Sequence, residues 1–180
     1  MQSTKMTAVW SDPAAGSIRF NKIVVAFQSS DEVLRRNAEV TFVKRVPKAT
    51  AAYTLLAGNT VQDRDKAKAI VEKAGFDGAV VMRIVRQDKE TVYSPGTSWW
   101  GTAPYGSMWG YWGYGWGTAY QPGYITNDTY VTIETNVYSV KDDKLLWASR
   151  SESANPETVT KLIEKVISTN IKEMKKRKIL

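Results

Sequence analysis

Lys22-Ile23-Val24-Val25-Ala26-Phe27 is a short, apolar, β-branched run flanked by polar residues. Apolar side chains at consecutive positions point to both faces of a strand. The run therefore reads as a central strand in a sheet covered on both sides. The segments after it set a rhythm. Ser29, followed three residues later by Glu32, fits a capping box. Val33, Leu34, Ala38, Thr41, Phe42 and Val46 then recur with helical period until Pro47 stops the helix. Thr50 to Leu56 predicts a second strand, ended by Gly58-Asn59. Ala67, Ile70, Val71 and Ala74 make the stripe of a second helix from about Asp63, and Gly75 stands where a left-handed cap is wanted. Gly78 to Arg86 is a third strand. Strand, helix, strand, helix, strand in this order argues for a parallel βαβαβ core.

The pattern then changes. Thr129 to Val140 alternates, with Val131, Ile133 and Val137 on one side, and Lys141 to Lys144 is a polar turn. Leu145 to Arg150 returns as the second arm of a hairpin. Asn155-Pro156 predicts a helix start, followed by the apolar stripe Val159, Leu162, Ile163, Val166, Ile167, Ile171 and Met174. The whole predicts an α/β fold, a three-layer α/β/α sandwich. Its mixed sheet has five strands in the order 2-1-3-4-5, strand 4 is antiparallel, and helices lie on both faces. Residues 1–21 read as an N-terminal arm and residues 22–180 as a single α/β domain, with Gln2 to Thr7 a flexible leader.

Composition narrows the chemistry. The 180 residues include no cysteine and no histidine. Thiol nucleophiles, disulfides, Cys/His zinc sites and Ser-His-Asp triads are thereby excluded. The net charge is +7. Most charges alternate in sign, and the basic patch Lys172, Lys175, Lys176, Arg177 and Lys178 sits where cations complement a helix C-terminus. Gly75-x-x-Gly78 follows a helix instead of opening one, so it cradles no phosphate. Asp63 with Asp65 reads as a helix start and Asp142 with Asp143 as turn decoration, with no convergent third ligand. No catalytic residue, metal site or cofactor is expected. Asn127-Asp128-Thr129 matches a glycosylation sequon, a pattern common by chance.

Residues 93–124, YSPGTSWWGTAPYGSMWGYWGYGWGTAYQPGY, stand apart. They hold five of the seven tryptophans and eight of the twelve glycines, and no charge. Rings loosened by glycine fit three readings: folding back on the domain, recognition of sugar rings, peptides or lipid headgroups, and self-association. The density of rings and the lack of charge favour a partner-contact surface. Its candidate residues are Trp99, Trp100, Tyr105, Trp109, Tyr111, Trp112, Tyr114, Trp116 and Tyr120. Aromatic and basic residues occupy different segments, which argues against nucleic acid.

Trp10-Ser11-Asp12-Pro13, the Phe20 to Val25 strand, Tyr53-Thr54-Leu55-Leu56, Gly75-Phe76-Asp77-Gly78, Val92-Tyr93-Ser94-Pro95-Gly96, the aromatic tract, Glu134-Thr135-Asn136-Val137-Tyr138, Lys144-Leu145-Leu146-Trp147 and Ile179-Leu180 occur in order. The ordered set resembles a family of uncharacterised bacterial exported proteins, mostly lipoproteins. The element order resembles the TolB N-terminal and anticodon-binding-like α/β fold, and a similar periplasmic domain of the curli secretion channel. The resemblance implies a non-enzymatic periplasmic module, anchored to the outer membrane through a lipidated cysteine upstream of Ser3 in the full-length form. The expected partner is an envelope protein or a cell-wall glycan such as peptidoglycan or polysaccharide. An oligomer or a membrane-contacting subunit of an envelope assembly is the alternative.

Overall fold

The computed structural model describes residues 3–15, 18–88, 100, 102, 104–117 and 130–180. Its elements are β1 (Ser3–Ser11), β2 (Ile23–Gln28), α1 (Glu32–Arg45), β3 (Ala49–Ala51), α2 (Arg64–Lys73), β4 (Gly78–Asp88), α3 (Met108–Gly117), β5 (Tyr130–Ser139), β6 (Lys144–Ala154) and α4 (Val159–Lys176). One mixed sheet runs β1-β6-β5-β4-β2-β3. β2 is parallel to β3 and β4, β5 is antiparallel to β4 and β6, and β1 is antiparallel to β6.

Among the described residues the sheet therefore has six strands where five were expected, and its order differs by an added edge. The sixth strand comes from the N-terminal arm: Ser3 to Ser11 pair with Ala154 to Trp147, so the segment read as a flexible leader is a strand. Its polar alternation, STKMTAVWS, is that of an edge with one half-covered side.

Each face of the sheet has its own core. Val25, Phe27, Val80, Met82, Ile84, Ile133 and Trp147 meet α1 and α4 through Leu34, Phe42, Leu162, Ile163, Val166 and Ile167. On the opposite face Val24, Ala26, Ala79, Val81 and Ala148 meet α2 and α3. Val33, placed by periodicity in the apolar stripe of α1, is 69% exposed, so that stripe is narrower than predicted.

Helix starts differ from the predicted ones. Asp31, not Ser29, caps α1 by accepting Leu34 N–H at 3.1 Å. Ser29 Oγ instead accepts Asp31 N–H. At α4 the predicted Asn155-Pro156 start gives way to Thr158, which accepts Lys161 N–H at 3.1 Å. β6 runs on to Ala154, and Asn155 turns the chain at φ 49°. Asp63 and Gly75 (φ 81°) bound α2.

The second predicted strand, Thr50 to Leu56, is cut to Ala49–Ala51 and passes into a 3-10 turn over Ala52–Thr54. A side chain causes the break. The Glu39 carboxylate, fully buried, accepts Phe27 N–H of β2 at 2.9 Å and Tyr53 N–H at 2.8 Å. It thus fills the place where the next backbone pair of a parallel ladder would form. Burial pushes its carboxyl up to about 7, against the pull of the Phe27 amide and Arg35. A folded value above the usual one of 4.5 means that the native state holds a proton the unfolded chain releases. That contribution is fully present below pH 4.5 and is lost as pH rises through 7, roughly 3 kcal/mol in all. Urea unfolding across this window should show stability falling as pH rises, and Glu39→Gln should flatten the slope.

Candidate functional site

The face of the sheet beneath α3 carries a polar row. Gln28, Arg83, Glu134 and Arg150 lie side by side across β2, β4, β5 and β6. Glu134 is fully buried and Arg83 is 5% exposed. Glu134 Oε1 accepts from Arg150 Nε at 3.0 Å, Arg150 Nη2 at 2.6 Å and the Tyr105 hydroxyl at 3.0 Å. Its Oε2 accepts from the Tyr111 hydroxyl at 2.9 Å and Arg83 Nε at 3.3 Å. Arg83 also donates to Tyr111 Oη at 2.9 Å and Tyr105 Oη at 3.1 Å. One carboxylate thus organises two guanidiniums and two phenols.

The electrostatics fix these roles. Burial alone would lower Arg83, but Tyr111, Glu134 and Tyr105 outweigh it and raise it, so it stays a cation. Burial, helped by the Glu134 charge, pushes the Tyr105 hydroxyl up to about 12 and raises Tyr111 and Tyr138 well above their ordinary value. The phenols are therefore protonated donors at neutral pH. A carboxylate holding this many donors serves as a structural acceptor that ties β4, β5 and β6 to the aromatic segment.

The lid over the row is the aromatic segment itself. Met108 to Gly117, MWGYWGYGWG, is a helix with four glycines in ten residues. Each glycine costs about 1 kcal/mol against alanine in a helix interior, so this helix exists through what it packs against. Ser107 Oγ accepts Gly110 N–H at 3.2 Å, and Asp143 accepts both Trp109 N–H at 3.1 Å and Ser107 O–H at 3.0 Å. Trp112 Nε1 donates to Val61 O at 2.8 Å, Gln28 Nε2 to Trp112 O at 3.1 Å, and Tyr138 O–H to Tyr105 O at 2.9 Å. The indoles of Trp109 and Trp112 meet at 5.5 Å and 53°, a tilted contact that aromatic quadrupoles favour.

These positions correct the expectation that the rings face outward. Trp100, Tyr111 and Trp112 are fully buried and Trp109 is 4% exposed. Tyr105 and Trp116 are half-buried against the same core. Tyr114 alone among the described candidates is exposed, at 42%. Trp99 and Tyr120 lie outside the described residues, as does the Asn127-Asp128-Thr129 sequon. The physical reason is complementary size. Ala26, Ala79 and Ala148 leave a shallow sheet surface that small side chains cannot fill and indoles can.

Asp143, read as turn decoration, caps α3 from across the fold. The polar row itself was missed. Thr132, Glu134 and Asn136 alternate with Val131, Ile133 and Val137, and the alternation does not say that the polar side is covered. The one available signal was Arg83, a cation within the apolar stretch Ala79 to Val85.

Gly115 shows how closely lid and row meet. A Cβ there would stand 1.7 Å from Gln28 Oε1 and 2.5 Å from its Cδ. Gln28 is fully buried and holds Trp112 O, so it has little room to yield. Gly115→Ala should therefore destabilise by about 2 kcal/mol despite alanine's better helix propensity. Adding Gln28→Ala should recover part of that loss in a urea-unfolding cycle.

No family model matches this chain, and no curated protein does. Two solved structures are similar in outline. The PelC dodecamer from Paraburkholderia phytofirmans is 10% identical, with a TM-score of 0.45, 94% of this chain covered and 94% of that one. A dodecamer of a PelC variant from the same organism is 12% identical, with a TM-score of 0.45, 93% of this chain covered and 96% of that one. Likeness at this level carries no argument about function. What the chain's own geometry defines is a mixed α/β domain whose buried polar row is sealed by an aromatic helix.

Proposed function

We propose that the protein is a non-catalytic module of the bacterial envelope, a subunit that works by pairing its sheet with a second protein strand. It would work in the periplasm at the outer membrane, as the resemblance of its ordered motifs to those of exported lipoproteins implies. The observation that carries the reading is the edge strand β1. Among the described residues β1 has a single hydrogen-bonded neighbour, β6. Its nine residues carry one charge, Lys5, and Met6, Ala8, Val9 and Trp10 are only partly covered. A long, weakly charged edge of this kind is a template for strand addition. The buried carboxylates support the non-catalytic part, since Glu134 and Glu39 are both committed to structural donors.

The sealed indoles remove the surface on which sugar rings were expected to stack, so glycan binding through Trp100, Trp109 or Trp112 is not carried forward. The simplest pairing partner is another copy. Light scattering over a range of concentrations should give a multiple of 20.2 kDa. Because the chain has no cysteine, Lys5→Cys carries a unique spin label, and a short distance between copies is expected. A monomer at every concentration, with no strand partner protecting the β1 amides from exchange, would contradict the reading.

A further inference from the structure

A chain without histidine or cysteine has few side chains that change charge near neutral pH. Glu39 is placed to be one. Its Oε1 holds the Tyr53 amide of the 3-10 turn and its Oε2 the Phe27 amide of β2. Arg35 Nε, on the same helix, stands 3.4 Å from Oε2. The Arg35 guanidinium in turn lies over the Trp116 ring, 5.5 Å from its centroid. A continuous line of contacts therefore runs from the shortened strand edge through Glu39 and Arg35 to the last turn of the aromatic helix.

The groups around Glu39 come from four elements. Its own helix supplies Arg35. The neighbouring Arg36 turns away, to Glu32 at 2.6 Å and to the face of the Tyr53 ring at 5.4 Å. β2 supplies the Phe27 amide, with the neutral Gln28 beyond it. The 3-10 turn supplies the Tyr53 amide, and α3 supplies Trp116 through Arg35. Among these groups Arg35 is the one charge in contact with the carboxyl, and no second acid is hydrogen-bonded to it.

We infer that Glu39 is a proton-operated latch between the β2–β3 edge and the aromatic helix. Protonated, the carboxyl keeps its buried place between the two amides without a desolvation penalty. Ionised, it carries that penalty, and a conformation that brings it to water gains: the Phe27 and Tyr53 amides then lose their acceptor, and Arg35 follows its counter-charge away from Trp116. Trp116 and the end of α3 then lose their tether. Burial sets the carboxyl near 7, so both states are populated at neutral pH.

The test is an NMR titration of the full chain from pH 5.5 to 8.5. The Phe27 and Tyr53 amide signals and the Trp116 indole N–H should move together with one midpoint near 7. Glu39→Gln should abolish the transition. Arg35→Met should shift the midpoint upward, because the cation no longer favours the charged form, and this variant serves if Glu39→Gln does not fold. Static Phe27 and Tyr53 signals across this range would overturn the latch, as would a transition surviving in Glu39→Gln, a midpoint unmoved in Arg35→Met, or a Trp116 signal that ignores the amides.

Discussion

Glu134→Ala should be among the most damaging single substitutions in the molecule, costing about 4 kcal/mol in urea unfolding. It removes the shared acceptor of Arg83, Arg150, Tyr105 and Tyr111 and strands two guanidiniums, one of them almost fully buried. Breaking a buried ion pair by deleting one partner typically costs about 3–5 kcal/mol, since the remaining charge is desolvated without compensation. That is a large share of the roughly 5–15 kcal/mol that holds a domain together. The companion experiment replaces the group as a whole. A combined Arg83→Met, Glu134→Leu, Arg150→Met variant should be more stable than Glu134→Ala, because no charge is left behind in the interior. If Glu134→Ala costs under 1 kcal/mol, the row is wet and the account of the lid fails with it.

Trp112→Ala should cost about 4 kcal/mol in the isolated protein. The ring is fully buried, contacts the Trp109 and Trp116 rings and donates to Val61 O at 2.8 Å. Truncating a buried indole loses its transfer free energy and leaves a cavity that a sheet cannot collapse to fill, about 3–5 kcal/mol in comparable cases. The lost bond adds an unsatisfied Val61 carbonyl. An outward contact residue behaves differently: its replacement changes stability by under about 0.5 kcal/mol and shows its effect only when a partner is present. Tyr114→Ala is the internal comparison: the residue is 42% exposed but its ring carries the Arg83 guanidinium at 4.9 Å, so it should cost about 1 kcal/mol, well below Trp112→Ala. The two variants together separate packing from docking within one helix.

The parallel core was the most legible part of the chain. Ile23 to Phe27 and Ala79 to Met82 are apolar at consecutive positions, the pattern of strands covered on both faces. The helices α1, α2 and α4 were legible because their stripes repeat every three or four residues. What escaped was decided by distant partners. Nothing local distinguishes Tyr53-Thr54 from a continuing strand, and the carboxylate that ends it lies on α1. Nothing in STKMTAVWS says that Ser151 to Ala154 will pair with it. The aromatic helix was the least legible, because its glycines argue against a helix and its cap, Asp143, lies 34 residues from Trp109. Its fold is set by the alanines of β2, β4 and β6, which say where large rings fit but not which rings will come. For the same reason the polar row escaped notice: the alternation along Thr129 to Val140 reports two different faces, not which of them is wet.

Hydrogen exchange in the isolated protein tests the central claim, that the aromatic segment is a sealed lid, most directly. The Trp112 indole N–H and the amides of Tyr111 to Gly115 should exchange as slowly as those of β4 and β5, through global unfolding. Exchange of these protons at the rate of an open chain, while β4 and β5 remain protected, would mean that the rings stand outside the core and that the polar row has no lid.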